Sequence, residues 1–146
     1  MFENLRFVFF DVGSTLLFAN RDRMLEPLYA RGIRPSEADL RTMECRVKNE
    51  FDDAMGHGSK PDHGFWDMFY TRLFGELDLR DEDLRRQLIA NTRASRNWNQ
   101  KRPGTREALE RIGARYRLAV ISNADGRIAE LLSGCGIADC FHTITD

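Results

Sequence analysis

The sequence has no long apolar run, no block of like charge and little cysteine. Its first apolar run of note, Phe7-Val8-Phe9-Phe10, meets Asp11 after only four residues. That is too short for the apolar segment of a signal peptide and far too short to span a bilayer. Acids and bases are mixed along the chain to a formal net charge of −1. There is accordingly no electrostatic case for nucleic acid or an anionic membrane as partner. Cys45, Cys135 and Cys140 are an odd number of cysteines without a CxxC pair, and they read as reduced thiols packing as small apolar groups. These absences predict a soluble, cytoplasmic protein that engages neither nucleic acid nor membrane. At 146 residues the chain has the length of one ordinary domain, or of a small core with one insertion.

What the chain does have is organised around Phe7 to Leu17, FVFFDVGSTLL. The run from Phe7 to Phe10 is aromatic and β-branched, the composition of a strand buried on both faces inside a parallel sheet. It stops at a carboxylate, Asp11, and Gly13 with Ser14 punctuates a tight turn. An acidic side chain at the carboxyl end of a buried strand sits where open α/β sheets hold their ligands. An Asp in that place also caps turns in its own right, so the rest of the chain has to decide.

From Leu17 to Gln100 the pattern is helical and contains no strand. Leu25, Leu28 and Tyr29 mark the inner face of a first helix closed by Gly32 and Pro35. Ser36 with Asp39 resembles a capping box. It opens a helix carrying Leu40, Met43, Val47, Phe51 and Ala54 as an amphipathic stripe. Gly56, Gly58, Ser59 and Pro61 make a loop. The strongest periodicity follows at Trp66, Phe69, Tyr70, Leu73, Phe74 and Leu77, a stripe that reads as bundle core. Asp81 caps a further helix with Leu84, Leu88 and Ile89 inward.

Strand and helix alternate again from Pro103. A helix with Ala108, Leu109 and Ile112 inward leads to a second buried run, Leu118-Ala119-Val120-Ile121, which ends in Ser122-Asn123. A helix from Asp125 or Gly126 carries Ile128, Leu131 and Leu132, and Gly134 and Gly136 end it. A weaker strand runs from Phe141 to Thr145, with Asp146 last. Without the helical insertion this is a βαβαβ run, which predicts an α/β fold with a parallel, right-handedly connected sheet.

Two strands thus end in polar residues at one edge, Asp11 on the first and Ser122-Asn123 on the second. A carboxylate facing a hydroxyl and free backbone N–H groups suits a phosphate attacked by that carboxylate. The attack calls for a divalent cation, because carboxylate and phosphate repel each other. Taken alone, Ser122-Asn123 reads as a turn and N-cap for the next helix. His57 and His63 lie in or beside the Gly/Pro loop without an acidic or cysteine pattern to complete a zinc site. Cys135 and Cys140 match no redox motif.

The motifs FFDVGSTLL and LAVISN, with RPGTREALERIGARYRLAVISNADGR and GIADCFHTITD around the second, resemble the haloacid dehalogenase superfamily from start to end of the chain. The resemblance implies an incomplete, three-stranded Rossmann-like core over residues 1–16 and 101–146, with an α-helical cap inserted over 17–100. It implies a Mg²⁺-dependent phosphatase that acts on small phosphorylated metabolites through an aspartyl-phosphate at Asp11, with Ser122 holding the phosphate. Thr15 and Asn123 would contact substrate, and the Asp11 side chain and the Gly13 carbonyl would bind Mg²⁺.

Two positions depart from that pattern. Gly13 stands where the superfamily usually has the aspartate that protonates the leaving group. No lysine follows the second motif, since Lys48, Lys60 and Lys101 all precede it, and no acidic pair follows a fourth strand. The expectation is therefore a HAD-like hydrolase inactive as these 146 residues, with a non-catalytic fragment or binding module as the competing reading. An unpaired first strand, apolar and flat, also predicts self-association through its edge.

Overall fold

The computed structural model of the chain describes residues 6–55 and 64–146. The expected Gly/Pro loop, with His57 and His63, lies outside the described residues. The chain divides into two compact units: Met1–Arg21 with Ala94–Asp146, and Asp22–Arg93.

In the first unit, β1 (Phe7–Phe10), β2 (Arg117–Ile121) and β3 (Thr143–Thr145) form one parallel sheet in the order β1-β2-β3. Phe7 pairs with Arg117 and Phe10 with Val120, while Val120 pairs with Ile144. Side chains alternate across the pleat. Val8, Phe10, Leu118, Val120 and Ile144 therefore share one face, where they join a core with Leu109 of α6 (Thr105–Gly113) and Ile128 and Leu132 of α7 (Ile128–Gly134). Both crossover helices cover that face, as right-handed connections running in one direction across a sheet require. The other face carries Phe7, Phe9, Ala119 and Ile121. Phe9 is 59% exposed and Ile121 55%, while Ala119 is fully buried, so the expectation of burial on both faces holds at the centre of β2 and not along β1.

Three element boundaries differ from the sequence pattern, each for a local reason. Residues 17–21 and 94–100 pack with the sheet rather than with the helical insertion. Leu17 is fully buried in the sheet unit's core, and Phe18 and Gln100 exchange backbone hydrogen bonds of 2.6 and 3.1 Å as an antiparallel bridge. That bridge is isolated, and among the described residues the stretch holds no strand, as expected. Helix α7 starts at Ile128 instead of Asp125 or Gly126. Gly126 adopts the left-handed φ of 78°, which no helix continues through, and the Asp125 carboxylate accepts from the Ser95 hydroxyl at 2.7 Å. Strand β3 begins only at Thr143, because a 3-10 turn over Ala138–Cys140 precedes it.

The helical unit packs around Leu28, Val47, Tyr70, Leu73, Leu84 and Leu88. Its first helix is two single turns, α1 (Arg21–Met24) and α2 (Glu26–Tyr29), broken at Leu25. Pro27 has no N–H to give the Arg23 carbonyl and its ring would collide with it, so one continuous helix cannot form. In α3 (Glu37–Met55) the Asp39 amide donates to Ser36 Oγ at 3.1 Å. The Ser36 hydroxyl in turn donates to the Asp39 carboxylate at 2.6 Å, half of a capping box with its return bond redirected. In α4 (Phe65–Glu76) the stripe Phe69, Tyr70, Leu73 and Phe74 is core, with Phe65 added and Trp66 only half-buried. Asp81 caps α5 (Glu82–Arg93) by accepting the Leu84 amide at 2.9 Å. Tyr70 Oη and Thr92 Oγ1 share a buried hydrogen bond of 2.5 Å between these two helices.

No helix among the described residues is long and apolar enough to cross a membrane. Cys135 and Cys140 lie half-buried against the sheet core, and burial pushes both thiols up from their ordinary value. Cys45 is exposed on α3, so it does not pack as the small apolar group expected of it.

Candidate active site at the carboxyl edge of the sheet

All three strands run the same way, so their carboxyl ends share one edge. Asp11 follows β1, Ser122 and Asn123 follow β2, and Asp146 follows β3. Because Phe10 is level with Val120 and Ile121 with Thr145, Asp11 comes level with Ile121, and Ser122 with Asp146, one step further out. The Ser122 amide donates to the Thr145 carbonyl at 2.9 Å, which carries the ladder to the lip of the sheet.

The turn after β1 is built to hold Asp11 in place. The Val12 carbonyl accepts the amides of Thr15, Leu16 and Leu17 at 3.2, 2.9 and 3.0 Å, and the Ser14 amide donates to the Leu17 carbonyl at 2.9 Å. Val12, Leu16 and Leu17 are buried in the sheet core, whereas Asp11, Gly13, Ser14 and Thr15 stay exposed at the tip. Ser14 sits in the left-handed region at φ 59°, where a residue other than glycine is uncommon. Three apolar anchors and a tight hydrogen-bonded hook thus fix the exposed Asp11 at the end of β1. A Cβ on Gly13 would meet nothing within 4 Å, so the missing acid is not excluded by space.

The second loop is held by a residue that the sequence pattern left as a chain end. The Asp146 carboxylate accepts the Ala124 amide at 2.9 Å through Oδ1 and the Ile128 amide at 3.2 Å through Oδ2. Helix α7 has no side-chain cap of its own at Arg127, and Asp146 supplies that function from the neighbouring strand. No sequence-local signal marks it, because Asp146 lies 18 residues after Ile128. Ser122 is half-buried at this loop, and Asn123 is exposed.

As donors to a cation, this edge offers the Asp11 carboxylate and the Gly13 carbonyl. Each Asp146 carboxylate oxygen accepts one amide, which ties it to the loop after β2. Among the described residues no group of three or more His, Cys, Asp or Glu could hold a metal. The described residues do not by themselves complete a Mg²⁺ site. At the opposite, amino end of the strands lies a groove of about 460 Å³ lined by Arg6, Arg115, Tyr116 and Arg117. It contains none of the candidate site residues.

No family model matches the sequence, and no curated protein matches it. Solved structures do. YfnB of Bacillus subtilis, provisionally described as a HAD-hydrolase and bound to magnesium, superposes with a TM-score of 0.64 at 15% identity, over 97% of this chain and 65% of that one. A predicted phosphoglycolate phosphatase of Haemophilus somnus gives 0.56 at 19% identity, over 97% and 62%. The L-2-haloacid dehalogenase of Xanthobacter autotrophicus gives 0.51 at 20%, over 97% and 56%. The chain therefore spans under two thirds of each of these proteins. At such identities the likeness is one of fold: the chain has the haloacid dehalogenase-like fold, an α/β architecture with a parallel Rossmann-like sheet.

Proposed function

We propose that the carboxyl edge is part of a phosphoryl-transfer site in a HAD-like hydrolase of small phosphate monoesters, with Asp11 as nucleophile. One observation carries the reading: Asp11 stands exposed at the end of β1, on a hook pinned by Val12, Leu16 and Leu17, beside the Ser122 end of β2. In the step this supports, an Asp11 carboxylate oxygen bonds to phosphorus while the ester P–O bond breaks. The bond pair leaves on the substrate oxygen. Water then attacks the phosphorus of the acyl phosphate and restores the carboxylate. The Ser122 hydroxyl and the Asn123 backbone N–H would hold phosphate oxygens, and Thr15 and the Asn123 side chain would contact the rest of the substrate. Mg²⁺ is the ion that the fold family implies, where it would offset repulsion between carboxylate and phosphate.

The described residues supply neither a full ligand set nor a lysine at this edge. We therefore infer that these 146 residues alone do not turn over phosphate esters. The same observation favours the second reading, a non-catalytic module. Reading the coding sequence past the Asp146 codon separates the two: a lysine and then an acidic pair in frame support the hydrolase, and an immediate stop supports the module.

Acid-quench trapping on the longest product of that frame tests the nucleophile. Phosphate should appear on Asp11, vanish in Asp11→Asn and persist in Ser122→Ala, and phosphate on serine would overturn the assignment. Gly13 gives the chemistry a signature. With no acid to protonate the leaving group, aryl phosphates should be cleaved about 10²–10⁴-fold better than alkyl ones, and Gly13→Asp should narrow that gap. Equal kcat/KM for both classes would mean that another residue donates the proton.

A further inference from the structure

We propose that Ser95 and Asp125 are positioning residues: the hydrogen bond between them fixes the turn that carries Ser122 and Asn123. This role rests on the phosphate-holding reading of those two residues given above. Between Ser122 and the start of α7 at Ile128 the chain contains neither helix nor strand. Asp146 accepts the Ala124 and Ile128 amides at the two ends of this stretch. Between them, Asp125 is the residue whose side chain bonds across the fold. Its Oδ2 accepts from the Ser95 hydroxyl at 2.7 Å, and among the described residues it pairs with no arginine or lysine.

Ser95 is placed to act as a fixed post. It is only 7% exposed, and a buried hydroxyl requires a partner. A carboxylate partner makes the bond charge-assisted and stronger than a neutral one. Ser95 opens a 3-10 turn, Ser95–Asn97, and the Trp98 amide donates to its carbonyl at 2.8 Å. The segment that follows is held on two sides. On one, the Asn20 amide donates to the Asn97 carbonyl at 2.8 Å and Asn20 Nδ2 to Asn99 Oδ1 at 3.0 Å, next to the Phe18–Gln100 bridge. On the other, Lys101 Nζ donates to the Cys135 carbonyl at 2.6 Å and Cys135 Sγ to the Asn99 carbonyl at 3.4 Å. Residues 95–101 are thus tied to both ends of α7, and Ser95 holds the end next to the loop.

The backbone shows what this anchor is for. The Ser122 amide is spent on the Thr145 carbonyl and the Ala124 amide on Asp146, whereas the Asn123 amide has no acceptor among the described residues. It is the donor left for an anion. A donor aimed at a phosphate oxygen stabilises developing charge best when it need not reorganise, so the peptides on both sides of it have to be fixed. The bond to Thr145 fixes the side toward β2. On the other side Gly126, in the left-handed region at φ 78°, turns the chain, and Asp125 is exposed rather than packed. Burial therefore does not hold Asp125, and Ser95 does.

Hydrogen exchange is read on the 146-residue chain, and turnover on the longest product of its reading frame. Ser95→Ala and Asp125→Ala should each speed exchange at the Ala124 and Ile128 amides about fivefold. In the longer product each should lower kcat/KM for an aryl phosphate about tenfold and weaken inhibition by orthophosphate to match. The double variant should be no worse than either single one, because the same bond is lost in all three. Asp125→Asn, which keeps an acceptor oxygen, should recover most of both readouts. Asp125 is exposed, so its variants test the bond even if circular dichroism shows that Ser95→Ala does not fold. Unchanged exchange in Asp125→Ala would overturn the proposal, as would losses that add in the double variant. Faster exchange with unaltered orthophosphate inhibition would overturn it too, since the bond would then only support the fold. Turnover that survives Asp11→Asn is a different result, and it overturns the nucleophile reading instead.

Discussion

The helical unit and the sheet unit reach stability by different routes. Residues 22–93 are contiguous, and their helices turn their stripes toward one another around Tyr70, Leu73, Leu84 and Leu88. Among the described residues of that unit no large apolar side chain is left exposed, since the exposed ones are Phe9 and Ile121 of the sheet. The sheet unit is assembled from two separated stretches of chain, and among the described residues both of its crossover helices cover the same face. A helix can satisfy its backbone within itself, whereas a strand needs neighbours on two edges and cover on two faces. Asp11, the proposed nucleophile, follows β1 in the less satisfied unit.

The largest expected effects lie in the two cores. Leu17→Ala and Leu88→Ala each remove a fully buried side chain and should each cost about 2–5 kcal/mol. Read by fluorescence, the first should lower the transition at Trp98, in the sheet unit, and the second that at Trp66, in the helical unit. Equal shifts at both tryptophans for either variant would erase the distinction between the units.

A smaller effect concerns the second loop of the site. Asp146→Ala removes the acceptor shared by the Ala124 and Ile128 amides. Hydrogen exchange at those two amides should speed up about fivefold, the size of one lost cap, while β1 and α5 are unchanged.

The smallest effect is a pH dependence in the helical unit. The amide of Leu84, and then the Arg31 guanidinium, hold the Asp81 carboxyl below its ordinary value of 3.8. A folded-state value below the unfolded one means that its stabilisation is complete above the ordinary value and is lost as pH falls through the folded one. Asp81→Asn should flatten that acid limb by lowering stability near neutral pH by the same small amount, while stability at the acid end is little changed. An unaltered acid limb would show that the cap contributes nothing there.

Much of the molecule was legible where one local pattern settled one local structure. The apolar runs ending at Asp11 and Ser122 marked two of the three strands, and spacings of three and four marked α3, α4 and α5. Asp81 was recognisable as a cap, because its partner Leu84 is three residues away. The break at Leu25 was missed, because the apolar spacing of Leu25, Leu28 and Tyr29 outweighed Pro27, which forbids the continuous helix drawn across it. What local pattern did not carry was long-range pairing. The Phe18–Gln100 bridge and the cap from Asp146 to Ile128 join residues remote in sequence, and the exposure of Phe9 and Ile121 depends on which face both crossovers cover. Asp11 and Ser122 were placed on one edge by the parallel plan, but the hook that holds Asp11 needed Val12, Leu16 and Leu17 to be seen buried together.

Residue-resolved hydrogen exchange on the 146-residue chain tests the contrast between the two units most directly. Amides in the interior of α4 and α5 should be strongly protected. The amides of Phe7 and Phe9, which turn away from β2, should exchange far faster. Equal protection of Phe7, Phe9 and the two helices would contradict the contrast, because β1 would then be as fully satisfied as the helical unit.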